Sequence, residues 1–159
     1  MRNWALFTPI MLFAAPAAAQ VMTPSEYVDA AGASDLYERT SSETVLETTT
    51  DPKIRSFAQM MIAHHTQSTA EVQAAAAESG VSAPPAQLNP LQAELIAQLQ
   101  AEQGVGRDGA YIAQQKAAHG QALNVQNAYA MEGTAPALKG AAAGIIPVVE
   151  EHIAMLKTM

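Results

Sequence analysis

One stretch, residues 51–80, restricts the folds open to this chain more than any other. It begins with Asp51-Pro52, an N-cap followed by a proline suited to the first helical turn, and it ends at Gly80. Between these residues, side chains suited to a protein interior recur at steps of three and four, the spacing of one helix face. The residues of this stripe are Ile54, Phe57, Ala58, Met61, His65, Ser68 and Val72. The stretch therefore predicts a long helix with one buried face, and that face contains a histidine.

Caps, prolines and glycines divide the rest of the chain into further helices. Gly32 separates the first two predicted helices, because glycine weakens a helix interior by about 1 kcal/mol. Abundant alanine and few aromatic residues favour closely packed helices over a sheet. We therefore predict an all-α fold, an up-and-down four-helix bundle with short additional helices. The predicted helices outside the first stretch are residues 23–31, 34–49, 89–103, 108–131 and 135 onwards.

The N-terminus has the pattern of a cleavable secretory signal. Arg2 precedes an apolar run over residues 4–15, and small residues follow up to a predicted cut after Ala19. The run is shorter than the roughly 20 residues that span a bilayer. We therefore expect a signal peptide over residues 1–19, one domain over residues 20–159, and a location in the periplasm or outside the cell.

Charge and composition exclude several functions. Cleavage would remove one base and no acid, which leaves 7 basic and 15 acidic residues and a net charge of −8. Such a surface argues against nucleic acid and anionic lipid as partners. No later segment is apolar enough to span a membrane, and the absence of cysteine excludes disulfides and thiolate metal ligands.

Three histidines form a candidate metal site. His65, His119 and His152 each lie on or beside the apolar stripe of a different predicted helix, and Glu38 lies on the remaining long helix. Three imidazoles and a carboxylate suit one divalent ion such as zinc, iron or copper. The alternative is a structural role, in which the buried histidines and Glu38 hydrogen-bond to one another and fix the register of the helices.

Neighbouring residues allow both a ligand role and a packing role. Met61 and Met155 stand about one turn from His65 and His152, so their thioethers are candidate copper ligands, although methionine at helical spacing is usually core. His64 is turned about 100° from the buried stripe, so we expect it at the surface.

The segment Phe57-Ala58-x-x-Met61-x-x-x-His65-Thr66 resembles the signature of a ferritin-like bacterial family, the domain of unknown function 4142. Its members are common in periplasms and are often labelled predicted outer-membrane proteins. The resemblance covers nearly the whole mature chain and implies a ferritin-like fold. Glu38, His65, His119 and His152 match recurrent polar positions of the family, whereas His64 stands where the family often has aspartate. Further landmarks are Asp35-Leu36-Tyr37-Glu38 with Ser41-Ser42, Tyr111 with His119, and Pro147 with His152.

A ferritin-like fold does not by itself imply iron oxidation. Di-iron centres of that fold use a Glu-x-x-His motif on each of two helices together with two more glutamates. The residues three positions before the histidines are Ile62, Lys116 and Val149, and none is a carboxylate. The sequence also lacks a nucleophile elbow, a phosphate-binding loop and a dinucleotide fingerprint. It therefore favours a periplasmic metal-binding protein or a structural envelope or stress protein over an enzyme.

Overall fold

The computed structural model describes residues 21–159, and the predicted signal peptide lies outside the described residues. Those residues form five α-helices and no strand, which confirms the prediction of an all-α fold for this part of the chain. None of the five is long and apolar enough to cross a membrane. The helices are α1 (Pro24–Leu46), α2 (Pro52–Glu78), α3 (Pro90–Ala101), α4 (Gly104–Glu132) and α5 (Pro136–Leu156).

Side-chain caps fix the starts of the first three helices where the sequence predicts them. The Thr23 hydroxyl accepts a hydrogen bond from the backbone N–H of Glu26, whose carboxylate accepts one in return from the N–H of Thr23. Asp51 caps α2 through the first backbone N–H groups of that helix. Asn89 and Gln92 form a second capping box at the start of α3. These interactions are local, so the sequence is sufficient to predict them.

The predicted break at Gly32 is wrong. A single helix, α1, replaces the two predicted over residues 23–31 and 34–49. A Cβ atom added at Gly32 would lie 3.3 Å from Cβ of Ala86, in the connection between α2 and α3. Glycine is therefore explained here by the close approach of another segment to the helix.

The fourth helix begins earlier than predicted. Gly104, expected to end α3, begins α4 with a left-handed backbone angle (φ of 52°), a conformation that glycine adopts without strain. Gly106 lies inside α4, so the predicted start at residue 108 is about one turn late. Only residues 102 and 103 separate α3 from α4.

Four helices pack in a ring in which each contacts two neighbours: α1 contacts α2 and α4, and α5 contacts the same two helices. The N-terminal parts of α1 and α5 share one apolar cluster with the C-terminal parts of α2 and α4. A second cluster joins the opposite ends and includes α3. Neighbouring helices therefore run antiparallel, and α2 and α4 run in the same direction, linked by the long connection that contains α3.

A close contact at the end of α4 predicts a large effect for a small substitution. A Cβ atom at Gly133 would lie 2.6 Å from the Tyr129 carbonyl oxygen and 2.7 Å from the Tyr129 ring. That ring stacks on Tyr27 with centroids 3.9 Å apart, so it cannot move aside freely. We expect Gly133→Ala to lower the free energy of unfolding by about 2 kcal/mol in urea denaturation.

Gly140→Ala is the matched control for this substitution. Gly140 is exposed within α5, and a Cβ atom there would meet nothing within 4 Å. Alanine should therefore raise the free energy of unfolding by about 0.5–1 kcal/mol. Equal effects of the two substitutions would show that the contact with Tyr129 is not what requires glycine at position 133.

Candidate metal centre

A layer of polar side chains lies between the two apolar clusters. Glu38 comes from α1, His65 from α2, His119 from α4 and His152 from α5, one residue from each helix of the ring. His65 is 7% exposed, and the other three are each 1% exposed. His65 and His119 lie near the middle of α2 and α4, whereas His152 lies near the C-terminal end of α5, and all of them fall between the two apolar clusters.

The three predicted histidines meet at one point. His65, His119 and His152 can each offer one ligand atom, and these atoms all lie within 4.8 Å of one another. Their ring centroids are 5.2–6.0 Å apart. Glu38 is not part of this trio, and its Oε1 atom lies 3.7 Å from Nδ1 of His119. The structure therefore brings all four residues together but forms the compact cluster from imidazoles.

His65 is oriented by an aspartate. Its Nδ1 atom lies 2.8 Å from Oδ1 of Asp35, and an ionised carboxylate can only accept, so Nδ1 carries the proton. The Thr69 hydroxyl donates to the other carboxylate oxygen of Asp35 at 3.0 Å. In the neutral form of the ring, which is the form that binds metal, the lone pair is then on Nε2, a buried atom with no hydrogen-bond partner among the described residues. A carboxylate behind a histidine in this way is the usual support for a metal-binding imidazole.

The role of Asp35 behind His65 is not among the predictions made from the sequence. The residue lies 4% exposed on α1, one turn before Glu38 and on the same side of the helix. That three-residue spacing was the available signal. The partner that orients His65 is therefore Asp35 on another helix, and not an aspartate next to His65 in the chain.

His119 also presents its lone pair through Nε2. Its Nδ1 atom donates to the carbonyl oxygen of Gln115 at 2.9 Å, since a carbonyl can only accept. Burial lowers the pKa of His119 below its ordinary value, and the nearby Glu38 carboxylate offsets part of that effect. The ring is therefore neutral at pH 7, the form in which imidazole binds metal.

His152 connects the interior of the cluster to its edge. Its Nδ1 atom lies 3.2 Å from Nε2 of His119, and its Nε2 atom lies 2.8 Å from Nδ1 of His64. Burial lowers the pKa of His152 to about 3, and the three neighbouring histidines act in the same direction. His152 is therefore a neutral ring that contacts an imidazole of α4 through one nitrogen and an imidazole of α2 through the other.

The expected surface position of His64 is wrong. The side chain is half-buried, bonds to His152 and stacks on that ring with centroids 5.1 Å apart. The expectation assumed one buried face on α2, but this helix packs against both α1 and α5. The rotation of about 100° from His65 turns His64 towards α5.

Glu38 is an unusual buried carboxylate. Neither of its oxygens has a hydrogen-bond partner within residues 21–159, although the residue is 1% exposed. A buried charge is costly unless it is paired or bound to a metal ion. The unpaired oxygens of Glu38 and the unpaired Nε2 of His65 therefore favour a cation in this layer.

The two methionines considered as copper ligands belong to the second apolar cluster. Met61 is fully buried there, and Met155 packs against it while half-buried. Both contribute to the core, which accounts for their helical spacing.

A cavity of about 290 Å³ reaches the cluster between α2 and α5. Three of its lining residues are His64, His65 and His152, so the histidine layer borders this space. Its remaining walls include polar Gln67, Ser68 and Glu71 on α2 and apolar Ile145, Val148 and Val149 on α5.

Comparison with known proteins identifies the family and no function. The family described as "Domain of unknown function (DUF4142)" matches residues 11–159, which include every described residue and all four predicted site residues. Nothing among curated proteins or solved structures matches the chain. The match confirms the family resemblance seen in the sequence, and the chain belongs to the DUF4142 family.

Proposed function

We propose that this protein binds one divalent transition-metal ion through His65, His119 and His152, with Glu38 as a fourth group. The observation that carries the proposal is a cluster of three buried imidazoles beside a buried carboxylate that has no hydrogen-bond partner in the described part of the chain. The chemistry of this set, nitrogen with one oxygen and no sulfur, suits zinc, iron or copper.

One distance in the cluster suits a shared ion, although a hydrogen bond between the two rings has a similar length. Two imidazole nitrogens bound to one tetrahedral zinc ion at about 2.0–2.1 Å are about 3.3 Å apart. The Nε2 atom of His119 and the Nδ1 atom of His152 are 3.2 Å apart. The ligand atom of His65 lies within 4.8 Å of the other two, and the carboxylate of Glu38, 3.7 Å from Nδ1 of His119, would have to move to reach the ion.

We further propose a ferritin-like bundle exported to the periplasm or beyond the cell. The four long helices run in the order up, down, down, up, and one long connection joins the two parallel helices, as ferritin-like folds require. The signal-like pattern of residues 1–19 supports export. Absence of Glu-x-x-His motifs from the sequence favours one ion over a di-iron centre.

Metal uptake by the mature chain tests the proposal. The chain from Gln20 is stripped with a chelator and offered zinc, iron(II), copper(II) and manganese(II), separately and in competition. We expect one bound equivalent by mass spectrometry and a higher thermal midpoint in the loaded protein, because an ion that binds only the folded state stabilises it. Glu94→Gln, an exposed carboxylate change on α3, is the control and should bind metal as the wild type does.

The same experiment decides between this function and a structural network. Two sets of hydrogen bonds favour that second function. One runs from His64 through His152 and His119 to Gln115, and the other joins His65 to Asp35. Stable folding without uptake of any of the four metals, and without a shift in thermal midpoint, would support the network and reject the metal site.

A further inference from the structure

The three proposed ligands differ in how ready they are for a metal ion. In His65 and His119, Nδ1 donates to an oxygen that can only accept, so the neutral form of each ring has its lone pair on Nε2. Among residues 21–159, His152 has no such oxygen partner. Both of its nitrogens face other imidazoles, so its proton position depends on theirs.

The hydrogen bonds fix the proton positions in the metal-free protein. Because Nε2 of His119 has no proton, the contact at 3.2 Å requires a proton on Nδ1 of His152. The Nε2 atom of His152 is then an acceptor, and the contact at 2.8 Å requires a proton on Nδ1 of His64. Each of the three contacts then has one donor and one acceptor, and every bond in the chain points inward, towards the Gln115 carbonyl.

Binding of a metal ion would require a proton to move at one of the proposed ligands, His152. The nitrogen of His152 that faces the cluster is Nδ1, and Nδ1 must lose its proton to bind an ion. A neutral imidazole then carries its proton on Nε2, which faces His64. The nitrogen of His64 in that contact must therefore change from donor to acceptor.

We propose that His64 is a positioning residue of the metal centre, which accepts the Nε2 proton of His152 when the ion binds. This proposal rests on the proposed function, because it describes what the ion requires of the residue behind a ligand. Metal binding then reverses the hydrogen bond between His64 and His152 while the contact itself remains.

The proton count of the two rings is unchanged by the reversal. His152 releases the proton on Nδ1 and gains one on Nε2 from Nδ1 of His64. His64 gains a proton on its own Nε2. Each ring loses one proton and gains one, so the change is a shift of tautomer. His64 and His152 both line the cavity between α2 and α5, so this cavity lies beside the two rings that exchange protons.

Nitrogen NMR of the histidine rings tests the proposal directly. The chain from Gln20 is prepared with ¹⁵N-labelled histidine. Its long-range ¹H–¹⁵N correlation spectra are recorded at pH 8 with and without one equivalent of zinc. We expect His64 and His152 to change from the Nδ1–H to the Nε2–H tautomer, and His65 and His119 to keep Nδ1–H. Loss of signals in His64→Gln assigns the His64 ring.

The possible outcomes separate this proposal from the function on which it rests. Zinc-dependent shifts of His65, His119 and His152 with an unchanged His64 tautomer would overturn the proposal and keep the metal site. No shift in any ring would reject metal binding itself.

Two substitutions at position 64 give a second readout. His64→Gln keeps an oxygen that can accept the Nε2 proton of His152, whereas His64→Leu has no acceptor. Loss of a partner behind a metal ligand usually lowers affinity by about 10–100-fold, so we expect that loss for leucine and most of the wild-type affinity for glutamine. Equal zinc affinities in the two variants would contradict the proposal, whatever their effect on stability.

Discussion

Replacing His65 with alanine is expected to weaken zinc binding by more than about 100-fold. The substitution removes one of three clustered imidazoles, and the one whose unpaired Nε2 is held in place by Asp35. Competition with a chromophoric chelator, using the chain from Gln20 at pH 7.5, gives the dissociation constants.

Asp35→Asn should have a smaller effect on the same measurement, about 10–100-fold, because the ligand remains and only its support is weakened. Glu94→Gln, on a helix away from the cluster, should leave zinc affinity unchanged. Helical circular dichroism and the metal-free thermal midpoint show whether each variant is folded. A folded His65→Ala protein that binds zinc as tightly as the wild type would remove His65 from the site.

Local interactions explain why much of the fold can be predicted. The starts of α1, α2 and α3 depend on caps within four residues of the chain, such as Thr23 with Glu26. Gly32 shows the opposite case, since its reason is Ala86, a residue on a distant segment. The sequence does not distinguish a glycine that ends a helix from a glycine that allows another segment to approach closely. Only the packed structure separates them.

The candidate site divides in the same way. Helical spacing places His65, His119 and His152 on interior faces, and that much needs no structure. The three histidines lie at one height because of the antiparallel packing and the position at which each helix begins. The pattern of one helix face carries no information about either. His64 and Asp35 were missed because each faces a second neighbouring helix, and periodicity describes one face at a time.

Acidification is expected to destabilise the metal-free protein through His152. Its pKa is about 3 in the folded chain, because burial and then His119, His65 and His64 disfavour the charged ring. The value in the unfolded chain is about 6.5. Between these two values the unfolded chain binds a proton that the folded chain does not, so stability falls as the pH falls through that window and is insensitive to this group above it.

Urea unfolding of chelator-treated protein at pH 7.5 and pH 4.0 measures this contribution. We expect about 2 kcal/mol of the wild-type loss to come from His152, a figure reduced for solvent in the cavity beside the ring. His152→Leu should therefore lose about 2 kcal/mol less than the wild type over the same pH change. Glu151→Gln, an exposed titratable neighbour on the same helix, should lose as much as the wild type. Equal losses of unfolding free energy in His152→Leu and the wild type would mean that the His152 imidazole is already protonated in the folded protein at pH 4.0. The site would then not contain a buried neutral ring that is ready to bind metal.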